Sequence, residues 1–172
     1  MKLNAKQLRV SEPKPSELKK VKRRPIYIVC DNVLDTYNIG SIFRLAEAVA
    51  ASEVYLCGAS ETPPNSRIAK AAVGTEKWVK WKHFGSAKAA ISKLKSQNSK
   101  IKVIAIEQGN GSIDFRKADY SLPVAFVVGH ETDGVSKEAL ALCDEIVEIP
   151  MFGVNISLNV MVSLAIVLFR AI

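Results

Sequence analysis

Short apolar runs alternate along the chain with segments whose apolar residues recur at helical spacing. The runs are apolar throughout rather than alternating in polarity, which is typical of strands covered on both faces of a sheet. They are Ile26 to Cys30, Val54 to Cys57, Val103 to Ile106, Val124 to Val128 and Ile146 to Ile149, with a weaker run at Trp78 to Trp81. The helical segments between them are 40–50, 86–96, 137–143 and 158–171. This alternation predicts an α/β fold with a parallel sheet and helices on both faces.

The composition fits one ordinary folded domain. Hydrophobic residues make up 48% of the 172 residues, with only 9 Gly and 7 Pro, which excludes a collagenous or low-complexity chain. The three cysteines, Cys30, Cys57 and Cys143, form no C-x-x-C pair and sit in or beside apolar runs, so we expect buried, reduced thiols. The most hydrophobic segment, 156–169, is shorter than the roughly 20 residues of a membrane helix. A cytoplasmic protein without a membrane span is therefore expected.

Positive charge is concentrated in two parts of the chain. Residues 1–24 hold nine Lys and Arg against two Glu, which equals the whole net charge of +7. The stretch 67–102 holds ten basic residues and one acid, Glu76. Such segregation indicates a protein that binds a polyanion, although a solvated tail and a solvated face would look the same. We predict a basic, flexible or loosely docked extension over residues 1–24 and a single domain over residues 25–172.

The loops after the predicted strands are where a ligand site is expected, because ligands of parallel sheets bind beyond the carboxyl ends of the strands. The usual nucleotide fingerprints, G-x-G-x-x-G after a strand and G-x-x-x-x-G-K-[ST], are absent. The two histidines, His83 and His130, have no partners at metal-ligand spacing, so no metal is expected.

Three motifs in these loops are specific in combination. They read N-I-G-S-I-F-R at 38–44, G-H-E-T-D-G at 129–134 and I-P-M-F-G-V-N-I-S-L-N-V-M-V-S at 149–163. With them the chain resembles the SpoU/TrmH family of the SPOUT superfamily, which are S-adenosylmethionine-dependent RNA ribose 2′-O-methyltransferases, over nearly all of residues 25–172. The resemblance implies a Rossmann-like sheet with a C-terminal trefoil knot that forms the cofactor site. It also implies a homodimer in which the apolar segment 158–171 is buried.

The resemblance also implies residue roles. The residues implied for catalysis are Arg44, Asn38, Glu131 and Asn159, with Glu131 bracing the knot and its neighbours. The residues implied for contact with S-adenosylmethionine are Ile106, Gly129, Ile149, Met151, Ser157 and Leu158. His130 stands where the family more often has Pro or Asn, and we expect it to fill space rather than to tune the site.

Two of these residues have simpler interpretations when taken alone. Arg44 could be the i,i+3 ion-pair partner of Glu47, and Asn38 could be only a helix cap. The family assigns Arg44 the activating role, yet a guanidinium is a poor base. A grip on the target phosphate and on the developing alkoxide is the alternative that we favour.

Basic residues predict the RNA contacts, which we expect at Lys22, Arg23, Arg24, Lys77, Lys80 and Lys82. The segment K-W-V-K-W-K-H-F at 77–84 could be a stacking platform for unpaired RNA or an edge strand guarded by lysines.

The sequence therefore predicts an enzyme, a cytoplasmic homodimer that methylates a ribose 2′-hydroxyl of RNA. We expect tRNA rather than rRNA, because the 24-residue arm is too short for a folded RNA-recognition domain. The alternatives are a non-catalytic RNA-binding or assembly protein with the same knotted fold, and an α/β enzyme that acts on a free nucleotide.

Overall fold

The computed structural model describes residues 2–172. It contains one seven-stranded sheet in which every pair of neighbouring strands is parallel. The strands are β1 (Arg24–Asp31), β2 (Ala51–Cys57), β3 (Lys80–Phe84), β4 (Lys102–Ile106), β5 (Ile113–Asp114), β6 (Val124–Val128) and β7 (Glu145–Glu148). Their order across the sheet is β3-β2-β1-β6-β4-β7-β5. The predicted α/β class with a parallel sheet is confirmed.

Seven helices accompany the sheet within residues 2–172. They are α1 (Ala5–Val10), α2 (Pro15–Leu18), α3 (Thr36–Ala48), α4 (Ser66–Ala72), α5 (Ala87–Gln97), α6 (Lys137–Leu140) and α7 (Val160–Arg170), with 3-10 turns at Thr75–Lys77 and Phe115–Lys117. Short polar side chains start several of them; Asn65, for example, accepts hydrogen bonds from the N–H groups of Arg67 and Ile68. The sequence analysis missed α4, because its inward positions are mostly alanine and give little apolar periodicity.

The helices cover both faces of the sheet, as predicted. One face carries α3, α4 and α7, where Phe43, Ile68 and Leu164 pack against Ile28 of β1 and its neighbours. The opposite face carries α5 and α6, whose Ile91 and Ala139 belong to a second buried cluster. Because β1, β2, β4 and β6 are buried on both sides, their residues are apolar without alternation.

The weak strand predicted at Trp78 to Trp81 lies two to three residues further along, as β3 at the edge of the sheet. Trp78 instead ends the Thr75–Lys77 turn and is buried, with its indole N–H donating to Ser11 Oγ at 2.9 Å. Its apolar character therefore reflects packing under the N-terminal segment rather than strand pairing. The edge strand expected within 77–84 is therefore present, and RNA contact by the side chains of this segment stays a prediction.

The N-terminal extension is folded and docked rather than free. The main chain of α1 lies against Gly74, where an added Cβ would be 2.2 Å from the carbonyl oxygen of Leu8. Lys77 pairs with Glu12, and the Arg23 guanidinium donates to Glu47 Oε2 at 2.6 Å and to the Trp78 carbonyl at 2.7 Å. Of the two alternatives for the arm, flexible or loosely docked, these contacts favour docking, with Arg23 and Glu12 of the arm as anchors.

The three cysteines are free, with Cys30 and Cys57 buried and Cys143 half-buried. Burial raises the pKa of the Cys30 thiol well above its usual range, and that of Cys57 and Cys143 to about 12. None of these thiols is therefore ionised at neutral pH.

Candidate active site

A cavity of about 440 Å³ lies beyond the carboxyl ends of β4, β6 and β7. This is the edge of a parallel sheet at which a ligand is expected. All six residues predicted to contact the cofactor line this cavity: Ile106, Gly129, Ile149, Met151, Ser157 and Leu158. Residues from four separate parts of the chain thus come together in one place.

Gly129 starts a tight turn that forms one wall of the cavity. Its position leaves no room for a side chain, because a Cβ would lie 2.1 Å from Gly134 C and 2.2 Å from Val135 N. His130 and Gly134 exchange two backbone hydrogen bonds of 3.0 Å across this turn. The close approach of two main-chain segments explains the glycine.

His130 holds the same turn with its side chain. Its Nδ1 accepts hydrogen bonds from the N–H groups of Thr132 and Asp133 at 3.1 and 3.2 Å. The Asp133 carboxylate approaches the same Nδ1 atom to 3.5 Å. The structural interpretation of His130 is thereby supported.

Two further acids hold the turn, and the sequence analysis did not single them out. Glu107 Oε2 accepts from the N–H of Val135 at 2.8 Å, and Asp31 Oδ2 accepts from the N–H of Ser136 at 2.8 Å. Each is an acid at the carboxyl end of a buried strand, where an unpaired charge would be costly. An acidic residue directly at the end of an apolar run was therefore the feature of the sequence that could have identified Glu107 and Asp31.

Glu131 organises a polar network beside the cavity. Its Oε1 accepts from Asn38 Nδ2 at 3.1 Å and from the Asp35 N–H at 3.0 Å, and its Oε2 accepts from the Leu34 N–H at 3.2 Å. Asn159 Nδ2 donates to Asn38 Oδ1 at 2.9 Å, while Asn159 Oδ1 caps α7. Three of the four residues predicted for catalysis are therefore linked by hydrogen bonds. The interpretation of Asn38 as a helix cap is wrong, because Asn38 lies inside α3 and Asp35 caps that helix.

This network controls the ionisation of Glu131. Burial by itself raises the pKa of the carboxyl, but the hydrogen bonds from Asn38, Asp35 and Leu34 outweigh it, and the pKa of Glu131 lies below its ordinary value. The carboxylate is consequently charged at neutral pH and accepts from every donor around it.

Arg44 lies apart from the network, further along α3, with an exposed side chain. The interpretation of Arg44 as an ion-pair partner of Glu47 is wrong, because the guanidinium that contacts Glu47 belongs to Arg23. Within residues 2–172 the Arg44 side chain has no hydrogen-bond or ion-pair partner. It is available to a ligand that approaches from solvent.

The cations predicted to contact RNA divide into two groups. Arg23, Lys77 and Lys82 have partners inside the protein, with Lys82 bound to Glu53 and 5.8 Å from the Tyr55 ring centroid. Lys22 and Lys80 are exposed, Arg24 is half-buried, and within the described chain all three lack a side-chain partner. The prediction of RNA contact stands, and it depends most on the cations without partners.

The lining of the cavity indicates the charge of its ligand. Four acids line it, Glu107, Glu131, Asp133 and Glu148, and among the described residues that line it there is no Lys or Arg. Apolar walls are supplied by Ile106, Ile149 and Leu158. Fold and site together define an α/β domain whose cavity suits a small, partly apolar ligand that carries positive charge.

Comparison with known proteins identifies the family. Residues 25–169 match the model of the SpoU rRNA Methylase family, so this chain belongs to that family, and the recognition drawn from its three motifs is confirmed. The chain is 36% identical over 154 residues to the tRNA (guanosine(18)-2′-O)-methyltransferase of Escherichia coli strain K12. That alignment covers 87% of this chain and 64% of the relative, so the chain spans less than two thirds of the relative's length.

Solved structures agree with the family. The A. aeolicus TrmH/SpoU tRNA modifying enzyme superposes with a TM-score of 0.78 at 29% identity, covering 97% of this chain and 80% of that one. An AdoMet-bound rRNA methyltransferase from Sinorhizobium meliloti gives a TM-score of 0.77 at 27% identity, covering 95% of this chain and 59% of that one.

The residues of the cavity fit S-adenosylmethionine, the ligand bound in the similar structure from Sinorhizobium meliloti. A sulfonium and an ammonium group suit four acids, and an adenine ring suits a slot between aliphatic side chains. A dinucleotide with two phosphates would meet four acids and no Lys or Arg among the described lining residues. Within residues 2–172 no three His, Cys, Asp or Glu side chains are grouped so as to hold a metal ion. Nor does that part of the chain contain a helix both long enough and apolar enough to cross a membrane.

Proposed function

We propose that this protein transfers a methyl group from S-adenosylmethionine to a ribose 2′-hydroxyl of RNA. The observation that carries the proposal is the junction of the acidic and apolar cavity with the Glu131, Asn38 and Asn159 network, on a domain of the SpoU family. The relatives described above act on tRNA and on rRNA by name, and we favour tRNA because it is the substrate named for the E. coli and A. aeolicus proteins.

Each part of the site has a task in this proposal. S-adenosylmethionine supplies an activated methyl group on a sulfonium. Ile106 and Leu158 form the walls of an adenine slot, and the main chain at Gly129 and Ile149 borders it. The acids of the cavity favour the cationic end of the donor. Because methyl transfer requires an in-line approach, most of the catalytic effect comes from positioning, and Glu131 supports it by joining the start of α3 to the start of α7.

Arg44 is the residue on which the acceptor side of the reaction depends. An exposed guanidinium without a protein partner suits a phosphate of the target nucleotide, which it can grip with two N–H groups. The same group stabilises negative charge on the ribose oxygen as its proton leaves. A general-base role would require a neutral guanidinium, which is not populated at neutral pH.

The surface supports a homodimer. Large apolar side chains are exposed near the cavity and on or beside α7. They are Leu34, Tyr37, Phe152, Val154, Ile156, Val162, Ile166, Phe169 and Ile172. Phe152 is 92% exposed, and a second copy of the chain would cover it. We further propose that the C-terminal segment passes through a loop to form the trefoil knot of the family. We also propose that the protein resides in the cytoplasm, where free cysteines stay reduced.

Incubation with methyl-labelled S-adenosylmethionine and separated tRNA and rRNA fractions, followed by nucleoside analysis, tests the proposal. We expect a 2′-O-methylated nucleoside in the tRNA fraction, and much slower transfer with Arg44→Ala. Label on a base instead of a ribose would contradict the reaction. Binding of both cofactor and RNA without transfer to either fraction would support the alternative of a non-catalytic RNA-binding protein.

A further inference from the structure

A second cavity, of about 520 Å³, lies at the β3 edge of the sheet. Its apolar walls include the consecutive prolines Pro63 and Pro64, Ala69 of α4 and the half-buried Trp81 of β3. It shares no lining residue with the cofactor cavity. The cofactor cavity lies at the ends of β4, β6 and β7, each at least three strand positions from β3.

Four polar residues line this cavity, Asn65, Ser66, Glu76 and Lys77, and Glu76 is the buried one among them. Glu76 is 8% exposed, and its buried Oε2 has no hydrogen-bond partner among the described residues. A buried carboxylate oxygen without a donor is unfavourable, so its presence at the wall of a cavity points to a donor that arrives with a ligand.

Glu76 lacks a partner although cations surround it in the sequence. It is the only acid in residues 67–102, which contain ten Lys and Arg. The adjacent Lys77 binds Glu12 instead, and Lys82 binds Glu53. A basic neighbourhood of this kind attracts a polyanion and disfavours a small free cation. The ligand therefore combines negative charge outside the cavity with N–H donors inside it.

One RNA base has the matching donor edge. A carboxylate only accepts hydrogen bonds, and guanine presents two adjacent donors, N1–H and the N2 amino group, on its Watson–Crick edge. Adenine and cytosine present one amino group beside a ring nitrogen that would face the carboxylate as a second acceptor. Uracil presents a single N–H between two carbonyl oxygens. Trp81 and the prolines supply the flat apolar surface that an unstacked base prefers.

We propose that this cavity binds a guanine base of the RNA substrate, at a nucleotide other than the one that is methylated. The proposal rests on the proposed function only in taking RNA as the substrate. Glu76 accepts from the N1–H and N2–H groups, Trp81 stacks on the base, and exposed lysines such as Lys80 meet the backbone phosphates.

Binding of short RNAs tests this assignment without methyl transfer. The intact protein is titrated with UUGUU, UUAUU and UUIUU, the last with inosine, which lacks the N2 amino group, and fluorescence anisotropy gives the Kd. We expect UUGUU to bind about fivefold or more tighter than UUAUU, with UUIUU between them. Glu76→Gln should remove most of this preference, because an amide replaces one acceptor with a donor.

Glu61→Gln is the matched control. Glu61 is exposed in the same loop as Pro63, and the substitution makes the same change in net charge outside the cavity. It should raise the affinity for all three RNAs slightly and keep the preference for guanine. Circular dichroism melting checks that the Glu76→Gln variant is folded; if it is not, the inosine comparison in the unaltered protein still decides.

Several results would overturn the guanine site. Equal affinities for the three RNAs would do so, as would a Glu76→Gln variant that behaves like Glu61→Gln. If methylguanidinium displaces UUGUU from the protein and GMP does not, the cavity binds a cation rather than guanine. If the intact protein transfers methyl groups to RNA but binds the three short RNAs equally, the guanine site alone is overturned. If it prefers UUGUU but transfers no methyl group, the proposed reaction is overturned and the guanine site remains supported.

Discussion

Substitution of Gly129 by alanine is the sharpest test of the cofactor cavity. The added methyl group would lie 2.1 to 2.3 Å from three backbone atoms, Gly134 C, Gly134 O and Val135 N. Backbone cannot turn aside as a flexible side chain can, so the turn over residues 129–135 must open. The backbone φ of Gly129 is not in the left-handed region, and space is therefore the only reason for a glycine here.

The cost follows from what the turn holds. Overpacking a close contact costs about 1–3 kcal/mol. Opening the turn also strains the paired backbone bonds between His130 and Gly134, each worth about 1 kcal/mol, and the charge-assisted bond from the Val135 N–H to Glu107. If about 1.4 to 2.8 kcal/mol of this cost is lost from the free energy of cofactor binding, the affinity falls by about 10- to 100-fold.

Calorimetric titration with S-adenosylmethionine measures the loss, and thermal melting shows whether the Gly129→Ala variant remains folded at the titration temperature. Gly85→Ala is the matched control, because a Cβ there meets nothing within 4 Å and Gly85 is remote from the cavity. We expect the control to bind like the unaltered protein. A folded Gly129→Ala variant with the affinity of the control would refute the assignment of this turn to the cofactor site.

Four further outcomes are expected. Glu131→Gln should lower the melting temperature and methyl transfer, with about 1–3 kcal/mol lost from unfolding because a donor replaces an acceptor in the network. Since the folded-state pKa of Glu131 is lowered, its contribution to stability should be full above the ordinary carboxyl range and disappear as pH falls below it; melting between neutral pH and about pH 3 should show a smaller loss for the variant, and equal losses would contradict the network. Arg44→Ala should reduce turnover by at least about 100-fold with cofactor affinity unchanged, and Arg44→Lys should stay slow at every pH; activity that recovers as pH rises would instead indicate a base. Replacing Lys19, Lys20 and Lys22 with glutamine should weaken RNA binding and flatten its logarithmic salt dependence by about 2 units for unpaired RNA, whereas an unchanged slope would show that these exposed lysines do not contact phosphate. Burial raises the pKa of all three cysteine thiols, so a disulfide reagent should react slowly with the folded protein and rapidly with all three after denaturation, and fast reaction in the native state would contradict the described burial.

The elements of the sheet could be predicted because burial on both faces leaves a continuous apolar signature. Val124 to Val128 reads as a strand for this reason, and the structure has it at those residues. Helix α4 could not be predicted in the same way, because alanine packs closely against Gly40 without the large side chains that make a period visible. The contacts that dock the N-terminal arm could not be predicted, because Arg23 of the arm and Lys77, which binds Glu12, are residue types usually found in solvent.

The site shows the same division between local and long-range information. Gly129 and Glu131 could be picked out because their motif follows a strand, and Asn38 and Asn159 because their motifs lie at the starts of α3 and α7. What only the tertiary structure decided is that Asn159 donates to Asn38 across 121 positions of sequence, and that Glu107 and Asp31 brace one turn from two different strands. It also decided that Glu47 binds Arg23 and leaves Arg44 free of partners within residues 2–172, and that Glu76 faces a cavity without a donor. A sequence reports the chemistry of each residue and its local periodicity, whereas the partner of a charged side chain depends on which distant segments the packed core brings within about 3 Å of it.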